Sequence, residues 1–451
     1  MKHHQKILDD AVKGEAILLL TANTNSTDLN STARSLNFLA INGTIRRIPD
    51  DADDMTLKSI ASVRVVQKWL HVENSTLSMF KIGSDVPHLP TRNPDETIMS
   101  YLTLQRVFQA DIIDDIILLD TSDTKVNVNP CVTKWRGKYN IMSTAGFDAH
   151  LQFYLLDDKY KVTEKLTIVG GEKMPQVEDT RLWFMEDTAD VLYAIFTVAA
   201  MLPYEVGIAV FNISLNQSDP VNSTKVAPYL NLSMVARVMP PVGREEHESQ
   251  KNWSPFDYNG EMHFVHSINP LQIFKVRPAT FNDGKVYAEN VSTAPLVETY
   301  WQFPQFHGGS PAVKIKDCCY LSFFHSKEWL PGASVATYFG GAYTFSLEPP
   351  FRLLSLSAFP LIYDSLYTGR WVQFRNRHLD YVVFPMCYDI VKSDHVNVSD
   401  SNINSDIHLT IGHQDDTGKE LIMKYQKLWN TLYPIERLGF FNESRFFRYL
   451  Y

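Results

Sequence analysis

Lys251-Asn252-Trp253-Ser254-Pro255-Phe256 leads through Tyr258-Asn259-Gly260 into Met262-His263-Phe264-Val265-His266, and this short passage decides the fold. A polar, proline-containing opening gives way to an apolar strand. An Asn-Gly turn reverses the chain, and an aromatic-rich strand returns. The same pattern appears at Asn129-Pro130 through Trp135-Arg136-Gly137-Lys138-Tyr139 to Leu151-Gln152-Phe153-Tyr154, and again from Glu178-Asp179-Thr180-Arg181 to Phe211. A fourth unit runs from His307-Gly308-Gly309-Ser310-Pro311 to Tyr320-Leu321-Ser322-Phe323-Phe324-His325. Tyr381-Val382-Val383-Phe384-Pro385 and Ile407-His408-Leu409-Thr410-Ile411 make a fifth. Unit starts lie about 50 to 75 residues apart, which is room for four strands and their loops.

The repeat predicts an all-β fold, a five-bladed β-propeller over residues 125–451, with an irregular N-terminal extension over 1–124 packed on it. A row of β-sandwiches without a shared axis is the competing arrangement. Radial closure protects strand edges and turns the first residues of each unit into one central funnel. Asp179, Lys251 and His307 are therefore expected to converge. The first 120 residues are rich in Asn, Ser, Thr and Asp, with a helical texture only at Ile60 to Leu70. Val191 to Pro203, the longest apolar stretch, is shorter than a bilayer span and reads as two buried strands around a turn. A long amphipathic helix is expected only at Lys419 to Leu432.

The 451 residues are 45% hydrophobic and 21% charged, which excludes disordered, collagenous and coiled-coil chains. A formal charge of −9 gives no electrostatic case for a nucleic-acid partner. Cys131, Cys318, Cys319 and Cys387 form no CxxC ladder, and no metal site is expected. Cys318 and Cys319 are adjacent and poorly placed to bridge each other. Two disulfides reaching elsewhere and four free thiols both remain open. His408 and His413 stand on opposite faces of a strand and make poor joint metal ligands.

Asn-x-Ser/Thr sequons begin at Asn25, Asn30, Asn42, Asn74, Asn212, Asn216, Asn222, Asn231, Asn252, Asn290, Asn397 and Asn442. So many acceptors point to the secretory pathway, Golgi lumen or cell exterior, with a cytoplasmic address as the alternative. A signal or membrane anchor would then lie outside this chain. Asn252 is expected to stay bare and buried, because Pro255 holds the sequon's Ser254 extended.

Glu178-Asp179-Thr180-Arg181 is the sharpest chemical signal. An acid at the head of an apolar strand can enter a half-buried pocket and serve as a general acid, with Arg181 orienting it or gripping substrate. Trp253 and Trp301 are candidates for stacking on a sugar face. Gly308-Gly309 reads as a tight backbone approach rather than a phosphate loop.

The ordered set Glu178-Asp179-Thr180-Arg181, Lys251-Asn252-Trp253-Ser254-Pro255-Phe256, His307-Gly308-Gly309-Ser310-Pro311, His325, Tyr338-Phe339-Gly340-Gly341-Ala342 and Val382-Val383-Phe384-Pro385 resembles glycoside hydrolase family 130. It is equally similar to that family's transferase relatives, glycosyltransferase family 108, which together comprise mannoside phosphorylases and β-mannosyltransferases. The resemblance covers roughly residues 129 to 425 and leaves 1 to 120 aside. It implies an inverting enzyme without cofactor. Asp179 would be the catalytic acid, and Lys251, Asn252, His325, Tyr338 and Asp415 would bind substrate; Arg181 beside the acid and His307 at its unit's opening are the further substrate-binding candidates. One acid suffices where phosphate is the nucleophile, unlike ordinary inverting hydrolases.

Three departures bear on the reaction. Thr180 replaces the family's proline. His266-Ser267-Ile268-Asn269 lacks the arginine that phosphorylases place after the histidine, and Met142-Ser143-Thr144 stands where they have Tyr-Arg. Losing two cations weakens a phosphate-dianion pocket. The reading that follows is a β-mannosyltransferase using a sugar-phosphate or nucleotide-sugar donor and an oligosaccharide acceptor. A mannoside phosphorylase and a non-catalytic glycan-binding propeller are the alternatives.

Overall fold

The computed structural model describes residues 38–41 and 44–47 and, with short gaps, 112–435. Asp415, the Ile60 to Leu70 stretch and the sequons at Asn25, Asn30, Asn42, Asn74, Asn216, Asn222, Asn397 and Asn442 lie outside the described residues. β1 (Phe38–Ile41) and β2 (Thr44–Arg47) pair as a hairpin, and β3 (Ile113–Leu118) follows. β4 (Val128–Trp135), β5 (Tyr139–Ala145), β6 (Leu151–Leu156) and β7 (Val162–Lys165) make the first antiparallel meander.

After the two-residue β8 (Ile168–Val169), β9 (Val177–Phe184), β10 (Val191–Val198), β11 (Glu205–Leu215) and β12 (Pro228–Met239) make the second. The third is β13 (Ser254–Tyr258), β14 (Glu261–Ile268), β15 (Leu271–Val276) and β16 (Lys285–Thr293). Its outer strand β16 runs parallel to β12 and joins the two meanders at the rim. The fourth comprises β17 (Phe306–Gly308), β18 (Val313–Ile315), β19 (Cys319–Glu328), β20 (Thr337–Phe345) and β21 (Leu353–Ser357). A hairpin of β22 (Arg370–Val372) and β23 (Arg377–Leu379) precedes the last meander, β24 (Val383–Lys392), β25 (Ser405–His413) and β26 (Thr417–Lys424). A short helix α1 (Tyr425–Trp429) then leads to β27 (Leu432–Pro434), which pairs with β21.

Period-two alternation explains why these sheets stack face to face. In β10, Leu192, Ala194, Phe196 and Val198 pack with Cys131, Phe153 and Ile141 of the first meander. The intervening Tyr193 and Ile195 pack with Trp253, Phe264 and Phe274 of the third. Phe256 of the third meander meets Tyr320 and Phe345 of the fourth, and Phe323 of the fourth meets Tyr388 of the last. Val132, Met142 and Tyr154 turn the other face of the first meander toward Ile117 and Leu119 at the edge of the last. Each sheet thus packs on the next and the last returns to the first. This closed succession is a propeller architecture and not a row of sandwiches.

Two covalent and topological features close it. The Cys131–Cys387 disulfide joins β4 to β24 across 256 positions of sequence. That resolves the cysteine alternatives: one disulfide, with Cys318 and Cys319 free. β3 pairs along the outer edge of β26, so a strand that precedes the first meander completes the last one. Residues 113–118 had been assigned to the N-terminal extension by sequence. Of Val191 to Pro203, Val191–Val198 form the buried strand β10, while 199–203 lie outside the described residues; β11, which pairs with β10, begins at Glu205. The helix expected over Lys419 to Leu432 is corrected: Lys419–Lys424 belong to β26, flanked on both sides by partners, and only Tyr425–Trp429 are helical.

The seam between the first and last sheets holds a buried polar cluster away from the strand heads. Thr410 Oγ1 donates to Glu420 Oε2 at 2.8 Å, and the Val132 amide donates to Thr410. The Tyr160 hydroxyl meets His408 Nδ1, and half-buried Asp389 lies nearby. Burial, with the Asp389 charge adding, pushes the Glu420 carboxyl up from 4.5 to about 8. In the unfolded chain it returns to its ordinary range, so its stabilising contribution is complete below pH 4.5 and is lost as pH rises through 8. Glu420→Gln keeps an acceptor for Thr410 and removes the proton. Relative to wild type it should gain on the order of a few kcal/mol between those limits. Urea denaturation of both proteins from pH 4.5 to 8.5 checks this; parallel curves would refute it.

Candidate active site

The heads of the inner strands share a backbone habit. Asn129 (φ 52°), Asp179 (φ 53°), Asn252 (φ 62°) and Gln305 (φ 59°) all adopt the left-handed conformation at or just before β4, β9, β13 and β17. Side chains other than glycine rarely hold it, Asn and Asp most readily, and it persists where the surroundings fix it. Asn129 and Asp179 also sit at matching register shifts. Val128 faces Ala145 and Cys131 faces Ser143; Glu178 faces Thr197 and Arg181 faces Ile195. Each is a bulge with one extra residue on the inner strand, a device that re-aims a side chain.

The two bulges bring their side chains together. Asn129 Nδ2 donates to Asp179 Oδ1 at 2.6 Å. Asp179 is half-buried, while Arg181 beneath it is only 1% exposed. Arg181 Nη1 donates to the Asp179 carbonyl at 2.8 Å. Its Nη2 donates to Asn252 Oδ1 at 3.1 Å and to the Gly308 carbonyl at 3.3 Å, and its Nε to the Gly309 carbonyl. The guanidinium lies 5.8 Å from the centre of the Phe384 ring. Burial lowers its pKa to about 10, opposed by the Asp179 charge, so it stays cationic at neutral pH. One side chain therefore ties four meanders together.

Gly308 and Gly309 make that knot possible. A Cβ on Gly308 would collide with the Asn252 carbonyl, and one on Gly309 would lie 2.7 Å from the Phe323 carbonyl. The pair is a close backbone approach, as the sequence suggests.

His307 and His325 are register partners on β17 and β19, and their rings stack 5.2 Å apart. Burial pushes His307 down to about 4, with the Lys251 and Lys327 charges adding. Burial also holds His325, at 1% exposure, well below its ordinary range, assisted by His307, Arg181 and both lysines. Both imidazoles are thus neutral at pH 7. His325 packs against Phe384 at 4.3 Å and Tyr338 at 5.5 Å, and its Nδ1 has no hydrogen-bond partner among the described residues.

Asp179, Arg181, Asn252, His307, His325 and Tyr338 accordingly form one cluster, with exposed Lys251 at its edge. Two members escaped the sequence reading. Asn129 stood there only as the opener of a repeat unit. Lys327, two residues past His325 on the same strand face, is the register partner of Tyr338. The shared Asx opening of the first units was the available signal for Asn129; Lys327 had none.

Two expectations are corrected. Trp253 is 1% exposed and boxed by Phe264, Phe274 and His266, while the Trp301 indole donates to Ser326 Oγ at 2.7 Å against Phe324. Neither offers a ring face to a sugar; both are core, where a large aromatic buries the most surface.

No family model matches the chain, and no curated protein matches it. Among solved structures it is similar to MPT-4, a mannose phosphorylase from Leishmania mexicana in complex with phosphate ion. That match has 12% identity over 73% of this chain and 95% of the other, with a TM-score of 0.40. MPT-1, a GDP-Man-dependent mannosyltransferase from the same organism, matches at 11% identity over 73% and 95%, with a TM-score of 0.41. A β-1,2-mannobiose phosphorylase from Listeria innocua matches at 15% identity over 66% and 69%, with a TM-score of 0.36.

Proposed function

We propose that this protein is an inverting glycan-active enzyme, a β-mannosyltransferase that moves a mannosyl group from a sugar-phosphate or nucleotide-sugar donor to an oligosaccharide acceptor. The observation that carries the reading is Asp179. Its carboxyl is held on a left-handed bulge, half-buried, above a floor of charged and neutral hydrogen-bonding groups contributed by several sheets. Geometry of that kind is retained against its conformational cost at reactive centres.

In this reading the acceptor hydroxyl attacks the anomeric carbon from the face opposite the phosphate leaving group. The new C–O bond forms as the old one breaks, and Asp179 takes the hydroxyl proton. In the reverse direction the same carboxyl returns that proton to the bridging oxygen. Neutral His307 and His325 suit uncharged sugar hydroxyls, since each has a donor and an acceptor nitrogen. Arg181 acts from below, by fixing the Asp179 and Asn252 backbone and side chain. Asp415 retains the sugar-gripping role implied by resemblance.

Lys251 and Lys327 favour a second reading, mannoside phosphorolysis, because both charges bear on His307 and so supply cations where a phosphate dianion would need them. Incubating the protein with GDP-mannose or mannose 1-phosphate plus manno-oligosaccharides, with and without phosphate, separates the two. Longer products from GDP-mannose support transfer; mannose 1-phosphate released from oligosaccharide supports phosphorolysis. Saturable oligosaccharide binding without either product would leave only the glycan-binding propeller.

The disulfide and the exposed sequon residues Asn212, Asn231 and Asn290 on β11, β12 and β16 support a secretory address. No helix among the described residues is long and apolar enough to cross a membrane. Asn252 is 4% exposed and accepts from Arg181, which fits a bare pocket residue. Peptide mapping of protein secreted from a eukaryotic host should find glycans at exposed sequons and none at Asn252. A glycan at Asn252 would remove it from the site and count against Lys251 beside it.

A further inference from the structure

We infer that Asn129 and Gly412 act together as a positioning device for Asp179, the inference resting on Asp179 being the proton-transferring group. Asn129 Nδ2 makes the 2.6 Å hydrogen bond to Asp179 Oδ1. A carboxyl that accepts at Oδ1 is fixed in rotation and leaves Oδ2 as the oxygen that exchanges the proton with substrate.

What holds Asn129 is equally specific. Its own backbone is left-handed, its bulge lifts it out of the β4 ladder, and its Oδ1 is buried with no partner among the described residues. The carboxamide is wedged against β25, where a Cβ on Gly412 would overlap Asn129 Oδ1. Gly412 has no left-handed backbone to explain it. The glycine is there because the amide needs that space. The last meander therefore sets the carboxamide of the first, which sets the carboxyl of the second.

The device is separable from the fold. Asn129→Gly keeps the left-handed backbone and deletes only the carboxamide. Gly412→Ala leaves Asn129 in the chain and drives the amide from its place. The readout compares two acceptors with the donor the wild type uses. A sugar hydroxyl must lose a proton to Asp179. Azide brings none: the C1–O bond to phosphate breaks, C1–N forms, and the phosphate or nucleotide leaves with the electron pair.

Both variants should transfer to the sugar acceptor about 100-fold more slowly and to azide within about threefold of wild type, with Asp179→Asn showing the same split. Equal losses on both acceptors would make Asn129 a merely structural residue and overturn the inference. Unchanged transfer to sugar in both variants would overturn it as well. If Asp179→Asn itself shows no split, Asp179 is not the proton-transferring group, and it is that reading which fails, taking this one with it.

Discussion

Asp179→Asn should reduce transfer to sugar acceptors by about 100- to 10,000-fold while the thermal unfolding curve stays in place. The substitution is unusually clean here. Asn tolerates the left-handed backbone at φ 53° as well as Asp does, so the bulge survives. The new amide still presents an oxygen to Asn129 Nδ2, so the hydrogen bond of 2.6 Å has a replacement acceptor. Only the capacity to take a proton and give it back is gone. Product analysis with the wild-type donor, alongside circular dichroism, checks the prediction. An Asn variant retaining more than a tenth of wild-type turnover would exclude Asp179 as the acid or base.

Arg181→Met should destabilise the protein by about 3 kcal/mol or more and abolish turnover with it. Methionine fills the space but donates nothing. The Gly308 and Gly309 carbonyls and Asn252 Oδ1 would each lose the donor they now have in a buried setting. Unsatisfied buried acceptors cost about 1–3 kcal/mol apiece, partly recovered by no longer burying a guanidinium. Arg181→Lys should fall between the two, because an ammonium lacks the planar fork that reaches several carbonyls at once. Urea denaturation decides it. A loss below about 1 kcal/mol for the methionine variant would show that the sheets hold their heads together without Arg181.

How much of this was visible in the sequence differs by element. Asn259-Gly260 and its neighbouring apolar runs announced a hairpin, and β13 and β14 pair across that turn as local chemistry demands. The Lys419 to Leu432 stretch misled because Leu421, Ile422, Tyr425 and Leu428 fit a helical period as well as a strand. Partners on both edges of β26 settled the matter, and no local rule sees them. Ile113–Leu118 reads IDDIIL, half-exposed as an outermost strand should be, and so resembles linker more than sheet. Asp179 and His325, which the structure brings into one cluster, were legible as polar residues at the head of one strand and within another. Burial was not: it makes Trp253 and Trp301 core rather than sugar platforms, and turns Arg181 inward to carbonyls. The Asn129 to Asp179 bond joins residues 50 apart and needed the two bulges to be seen side by side.

The pairing of β3 with β26 has a consequence for synthesis. Leu118 faces Lys419 across that ladder, so the ribosome must add about 300 residues before the early strand meets its partner. At 5–20 residues per second this is a wait of roughly 15 to 60 s. Through that interval the early strand is a bare edge, the kind of surface that recruits other chains. Its paired acids, Asp114 and Asp115, are charges that discourage such recruitment until Lys427 arrives to meet Asp114. Synthesis of β26 therefore latches the molecule, and a chain released before about residue 417 would lack both β26 and β27 and remain an open ring.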